Sequence, residues 1–357
     1  MTEDIKGFIR ELSEIYDPES NDSYVSMYYS KGIDNKFFER RKKVIEKILK
    51  GESLENFRKT IVDIESVLKD NIGGTVAVFA SNKHNFLKYI TLPVKIENSL
   101  ILDSSPYLRP LVRTIDEWES FTLILVSTNS AKIYSVSFGQ VQDSKQLSKD
   151  IMNKHKKGGW SQARFNRLRR GAIHAFFTEV IEELKKRDDE QIIVAGPGTV
   201  KTQLIDILPK DIQDKIVDVI DISVDDENKA IKESIHLISE KEERQSKETV
   251  QHLKQEILRD GLAVYGVEET LQAVKNGQVE LLIIEKDFKQ PGWICESCQM
   301  VGTGVKTQCP NCGNKTSNVD VLEEILEFAE RTDAEVEFTD EEEIKNLGHV
   351  GAILRYK

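Results

Sequence analysis

The chain has 357 residues, 39% of them apolar and 31% charged, with a net charge of −11. That length exceeds one ordinary hydrophobic core and predicts two or three domains of roughly 100–150 residues. No run approaches the roughly 18 apolar residues that span a bilayer, and the start MTEDIKGF lacks a cationic-then-apolar leader pattern, so a soluble cytoplasmic protein with no membrane partner is expected. The acidic balance excludes nonspecific coating of nucleic acid and confines any RNA contact to local patches.

In chain order, a helical pattern covers residues 5–16 and a strand-like DSYVSMYYS follows at 22–30. Two charged helices come next, FFERRKKVIEKILKG (37–51) and SLENFRKTIVDIESVLKDN (53–71), the first expected to end at Gly51 and the second before Gly73-Gly74. TVAVFAS (75–81) and FLKYITLPV (86–94) alternate or run apolar as strands do. Around Pro106, Pro110 and Glu117 the pattern breaks, which predicts a boundary closing a small α/β domain over 1–116.

A hairpin opens the next segment at 121–139, turning on Thr-Asn-Ser. A basic Gly-Gly loop follows, then a helix from about 161 to 186 whose apolar positions Phe165, Leu168, Ala172, Phe176, Val180 and Leu184 recur every three or four residues. QIIVAGPG (191–198) and VDVIDIS (217–223) read as strands, giving a middle α/β domain over 117–247. A long charged helix from Glu227 to about Arg259 leads into a third domain, 248–357. There GLAVYGVEETLQAVKNGQVELLIIEKD (261–287) predicts a helix closed by Gly277 and then a strand, 319–339 a helix and a strand, and 350–356 a final strand. With its cysteine-rich insertion at 293–315 set aside, this segment alternates β and α, and a compact α/β/α sandwich is expected.

All four cysteines, Cys295, Cys298, Cys309 and Cys312, fall in that insertion as two Cys-x-x-Cys knuckles separated by ten residues. This spacing predicts a zinc ribbon with four thiolates around one Zn²⁺. Four cysteine ligands close the coordination sphere and leave no position for water, so the zinc is expected to be structural. A disulfide reading conflicts with a reducing compartment.

The most unusual stretch is KHKKGGWSQARFNRLRR (154–170), with Lys154, Lys156, Lys157, Arg164, Arg167, Arg169 and Arg170 and no acid. Gly158 and Gly159 permit close approach of a ligand to the main chain. Ser161 is placed to cap the following helix, whose first amides offer donors to phosphate or a developing oxyanion. The Gln162 amide can position a water or a 2′-hydroxyl, and the cations suit phosphates. A basic surface loop with an ordinary N-cap accounts for the same residues. A P-loop is excluded, and GPGTVKT (196–202) lacks the full phosphate-loop pattern, so a strand-to-helix turn is expected there. The six histidines are scattered, a lone His174 on a helix reads as structural, and Asp340 to Glu343 read as a solvated helix start.

The order of these parts resembles the class-1 peptide-chain release factors of archaea and eukaryotes over essentially the whole chain. Lys154-His155-Lys156-Lys157-Gly158-Gly159 is similar to the family's Lys-His-Gly-rich segment ending Gly-Gly-Gln. Ser161-Gln162-Ala163-Arg164-Phe165-Asn166-Arg167-Leu168-Arg169 resembles its helix beginning Ser-Ala-x-Arg-Phe-x-Arg-x-Arg. VDVLEEILEFAERTDAEVEF, Asn346-Leu347-Gly348 and the closing AILRY look like the family's C-terminal domain, which bears a zinc insertion in some archaeal members. Two departures matter. Trp160 stands where the family has Gln after Gly-Gly, so that the nearest glutamine is Gln162. The N-terminal domain also lacks the Asn-Ile-Lys-Ser and Tyr-x-Cys-x-x-x-Phe signatures of codon reading, with GIDNKFFERRKK (32–43) at the corresponding place. Both departures are similar to the release-factor-like branch related to the peptidyl-tRNA-cleaving factor of ribosome quality control, whose members bear Gly-Gly-Trp-Ser-Gln or close variants.

The resemblance implies a three-domain release-factor-like architecture acting at the ribosomal A site on peptidyl-tRNA of stalled ribosomes, without stop-codon reading. It implies catalytic roles for Gln162 with Gly158, Gly159, Trp160 and Ser161. Contacts to rRNA and tRNA phosphates would come from Lys154, His155, Lys156, Lys157, Arg164, Arg167, Arg169 and Arg170. Either the peptide ester or a phosphodiester near the tRNA CCA end is cut. Conventional termination at stop codons is the alternative. A translational GTPase is an implied partner of the C-terminal domain, with the acidic helix at 319–330 as a docking surface or merely a solvated face. The ribbon holds few cations, Lys306 and Lys315 among them, and is expected to contact protein rather than rRNA.

Overall fold

The computed structural model describes residues 2–20, 22–30, 36–70, 74–151, 160–187, 190–295 and 297–357. It is a mixed α/β protein whose described residues divide into two compact units, one made of 1–117 with 245–357 and the other of 118–244. Among the described residues no helix is long and apolar enough to cross a membrane.

The N-terminal part runs α1 (Thr2–Ser13), β1 (Tyr24–Ser30), α2 (Phe37–Ile48), α3 (Gly51–Asp70), β2 (Thr75–Ser81), β3 (Phe86–Leu92), β4 (Ser99–Asp103) and α4 (Arg109–Glu117). Its antiparallel sheet has the order β3-β2-β1-β4. Alternation decides the layering: Val25, Met27, Val76 and Val78 face Phe38, Ile45, Phe57 and Ile61 of α2 and α3. Phe79, on the opposite face, meets Phe8 of α1 and Tyr28 at ring distances of 6.0 and 5.8 Å. Gly51, expected to end a helix, instead starts α3 with φ +58°, while α2 closes at an extended Leu49. The break expected around Pro110 is a helix, because proline in a first turn gives up an N–H that has no partner there anyway.

The middle unit contains β5 (Phe121–Val126), β6 (Ser130–Ser137), β7 (Gln140–Ser148), α5 (Trp160–Leu184), β8 (Ile192–Ala195), α6 (Val200–Ile205), α7 (Lys210–Gln213), β9 (Ile216–Ile220) and the first part of α8 (Glu227–Leu258). The sheet order is β7-β6-β5-β8-β9, parallel at β5-β8 and β8-β9. Ile124, Val126 and Val194 pack under Phe176, Phe177 and Val180 of α5, while Leu123, Leu125 and Ile193 pack under Ala230 and Ile238 of α8. The result is a sheet between two helical layers.

The C-terminal part continues with β10 (Ala263–Tyr265), α9 (Val267–Lys275), β11 (Val279–Glu285), β12 (Pro291–Cys295), β13 (Met300–Thr303), β14 (Ser317–Asp320), α10 (Val321–Arg331), β15 (Glu335–Thr339), α11 (Glu342–Asn346) and β16 (Val350–Leu354). Its sheet runs β10-β16-β11-β15, and β13-β12-β14 form a small separate sheet. Val250 and Leu253 of α8 close one face of the main sheet with Ile283 and Ile344. Asp320 caps α10 through its side chain, which accepts the Leu322 amide at 3.2 Å.

Candidate functional site

The basic stretch divides between what the structure describes and what it does not. Lys154, His155, Lys156, Lys157, Gly158 and Gly159 lie outside the described residues, as do the side chains of Trp160 and Ser161. The backbone of Trp160, Ser161 and Gln162 forms the first turn of α5. Among the described side chains of α5, every buried residue lies in its second half, from Ile173 to Leu184. Residues 163–168 are all exposed, a pattern that a helix lying on a sheet cannot give. Phe165 and Leu168, expected on the packed face, are 39% and 53% exposed. The apolar period continues past the end of the core, so the first turns of α5 project beyond it.

On this projecting segment the Gln162 amide makes no hydrogen bond among the described residues, and its side chain is half-buried. Arg164, Arg167 and Arg170 are exposed and join no ion pair among the described residues; Arg169 is half-buried. At the other end of the same helix the cations are neutralised, Lys185 by Glu182 at 2.8 Å and Lys186 by Glu183 at 2.9 Å. The arginines and Gln162 thus share one helix turn after turn, with charge left for a partner outside the fold.

GPGTVKT is filled from within. The Lys201 ammonium donates to the carbonyls of Gly196 at 3.1 Å and Gly198 at 2.9 Å and pairs with Asp221 at 3.2 Å. A side chain at Gly196 would meet the Val126 carbonyl oxygen at 2.3 Å. The turn is held by its own lysine, as a strand-to-helix connection requires, and offers no cradle to phosphate.

The cysteine knuckles do come together. The Sγ atoms of Cys295 and Cys312 lie 3.4 Å apart, those of Cys298 and Cys309 3.5 Å, and all four lie within 4.8 Å of one another. A tetrahedral S₄ site with bonds of about 2.3 Å asks for sulfurs about 3.8 Å apart, whereas a disulfide needs about 2.05 Å. These four sulfurs can therefore hold one metal ion. Each knuckle turns through a left-handed residue after its second cysteine, Gln299 at φ +58° and Gly313 at φ +76°. The Asn311 amide points at the Cys309 sulfur at 3.4 Å. Burial pushes the Cys295 thiol up to about 12. At Cys309 burial acts the same way, but hydrogen bonds from the amides of Cys312 and Asn311 and from the Cys298 and Cys295 thiols outweigh it and hold the thiol down at about 6.

The acidic helix at 319–330 is neither a free docking surface nor a solvated face. No residue of α10 is exposed. Its acids meet the N-terminal part of the same unit: Glu327 accepts the Ser105 hydroxyl at 2.6 Å, and Arg109, 5% exposed, lies 3.6 Å from Glu323 and 3.5 Å from Asp320. Arg109 also donates to the carbonyls of Lys286 at 3.1 Å and Phe288 at 2.7 Å. Burial pushes the Glu323 carboxyl up to about 8 against the pull of Arg109. No periodicity reveals this seam, since acids at this spacing read as a solvent face until a partner helix is known.

Residues 106–240 match the family model described as bacterial archaeo-eukaryotic release factor family 10, and residues 243–357 match eRF1 domain 3. A peptide chain release factor subunit 1 from Methanopyrus kandleri is 32% identical over 221 residues, covering 59% of this chain and only 51% of that relative. The chain thus spans about half the length of that relative. The Methanobrevibacter smithii protein of the same description is 30% identical over 282 residues, covering 70% of this chain and 68% of the relative. This chain belongs to the archaeal and eukaryotic peptide chain release factor family. Pelota from Archaeoglobus fulgidus is similar with a TM-score of 0.35 and 14% identity, over 98% of this chain and 92% of that one. The domain-3 match contains all four cysteines and α10, and the family-10 match contains the whole of α5.

Proposed function

We propose that this protein frees nascent chains from peptidyl-tRNA on stalled ribosomes, acting at the A site and independently of a stop codon. The observation that carries the reading is the projecting start of α5. There the half-buried Gln162 makes no side-chain hydrogen bond among the described residues, and the exposed Arg164, Arg167 and Arg170 join no ion pair among them. The arginines, with Arg169, Lys154, His155, Lys156 and Lys157, hold rRNA and tRNA phosphates. Gly158 and Gly159 permit backbone approach to the CCA end, with Trp160 and Ser161 completing the tip. Membership of the release factor family supports a role in protein biosynthesis.

Gln162 would orient the nucleophile by its carboxamide. In ester hydrolysis a water oxygen bonds to the peptide carbonyl carbon, the bond to the ribose oxygen breaks, and peptide acid and tRNA hydroxyl leave. In the tRNA-cleaving variant a ribose 2′-oxygen bonds to the neighbouring phosphorus, the bond to the 5′-oxygen breaks, the 2′-hydroxyl proton passes to that departing oxygen, and a 2′,3′-cyclic phosphate remains. The three domains of the reading are 1–116, 117–247 and 248–357. Cys295, Cys298, Cys309 and Cys312 hold a structural Zn²⁺, which steadies the ribbon and takes no part in the chemistry.

The test is release of peptide from ribosomes carrying peptidyl-tRNA, programmed with a stop codon or with an empty A site, and from split large subunits, followed by mapping of the tRNA 3′ end. The reading expects release with an empty A site. Release that depends on a stop codon would replace it with conventional termination.

A further inference from the structure

Gly171 sits inside α5 where the fold gives no reason for a glycine. A Cβ built there meets no atom within 4 Å, and the residue is exposed. Its backbone is helical, so no left-handed conformation requires it. Glycine is the least favourable residue after proline in a helix interior. A segment with no fully buried described side chain depends on propensity more than a packed helix does. The projecting part of α5 is therefore the place where the fold alone would favour alanine.

Helical spacing puts Arg164, Arg167, Gly171 and His174 along one side, with Arg170 and Leu168 flanking. Arg164, Arg167, Arg170 and His174 are all exposed, and the three arginines join no ion pair among the described residues. Bare main chain in the middle of this row makes a notch in a cationic face. Arg167 lies about one turn before the notch and His174 about one turn after it, roughly 10 Å apart along the axis.

We propose that Gly171 is the point where an RNA sugar-phosphate backbone comes against the main chain of α5, with Arg167 and His174 contacting phosphates on either side. The missing side chain lets the strand approach closely, and the exposed cations select a polyanion over an apolar partner. This inference rests on the RNA-facing reading of α5 and adds to it a positioning residue set by shape rather than charge.

The experiment measures binding of the full chain to purified large ribosomal subunits over a salt series, with thermal melting of each variant alongside. Gly171→Ala is expected to melt at or above the wild-type temperature yet bind about fivefold more weakly, and Gly171→Leu more than about twentyfold, because the clash grows with the side chain. Both keep the wild-type salt slope, whereas Arg167→Ala lowers it by about one. Wild-type binding by Gly171→Leu, with the Arg167→Ala slope reduced, overturns the role of Gly171 and leaves the RNA reading intact. Binding of the unaltered protein that does not respond to salt sinks the RNA reading and this proposal together. Equal weakening of Gly171→Leu toward RNA-stripped ribosomal protein also overturns the choice of RNA.

Discussion

The Asp116 side chain accepts the backbone N–H of Phe338 at 2.9 Å through its Oδ2. Phe338 lies on β15, an edge strand of the C-terminal sheet, so an acid at the end of α4 satisfies an amide that the ladder leaves open. Burial, reinforced by the nearby Glu337 charge, pushes Asp116 up to about 8 although the Phe338 amide works in the opposite direction. Burial likewise raises Glu330 to about 7. These acids and Glu323 belong to the contact of residues 1–117 with 245–357, within a single compact unit.

The pH dependence follows from the sign of those shifts. A carboxyl whose folded pKa lies above its unfolded value near 4 binds its proton more tightly in the fold, so stability falls as pH rises through that interval. The melting temperature should decline from about pH 5 to pH 8 and flatten above the Asp116 and Glu323 values of about 8. Asp116→Asn keeps an acceptor for Phe338 and removes one titration, so it should melt higher than wild type at about pH 9 and show a shallower slope. An unchanged slope would mean that Asp116 is not a protonated acid in the fold.

Arg109 has few exposed atoms and several acceptors, among them Asp320 at 3.5 Å and the Phe288 carbonyl at 2.7 Å. Arg109→Ala leaves buried acids and carbonyls without their donor, a change that typically costs about 3–5 kcal/mol. Urea unfolding should register a loss of that order, with increased amide exchange in α4 and α10. A loss below about 1 kcal/mol would show that solvent already satisfies those groups.

At the cysteine site one equivalent of zinc per chain is expected. Cys309→Ser should abolish it and lower the melting temperature, since ligand binding free energy is folding free energy for such a ribbon. Gln299→Gly should keep the metal and melt no lower, because Gln299 occupies the left-handed position that Gly313 fills in the second knuckle. Full zinc content in Cys309→Ser would contradict the four-thiolate assignment.

Elements with their own apolar signature were legible in the sequence. α3, β2, β5, α8 and the paired knuckles lie close to where spacing placed them, because each buries one face or closes one ligand set. β7 was not: QVQDSKQLS is exposed along nearly its whole length, with only Leu147 reaching the core under α5, and is held by its ladder to β6 through the left-handed Phe138-Gly139 turn. β4 and β10 are short and carry little periodicity, α4 is short and opens on Arg-Pro, and the partners of all three come from distant sequence. For the candidate site, the charge and the Gly-Gly pair were readable. That Phe165 and Leu168 face solvent was not, since an apolar helical period does not say where the core beneath it ends.

We propose that the Gln162 amide on the projecting start of α5 serves the release chemistry. The most direct test is single-turnover release from large subunits carrying peptidyl-tRNA, comparing wild type with Gln162→Ala at saturating protein. Loss of one positioned polar group of this kind typically costs roughly 100-fold or more in rate. Such a loss is expected, with ribosome binding unchanged. Release by Gln162→Ala at the wild-type rate would contradict it.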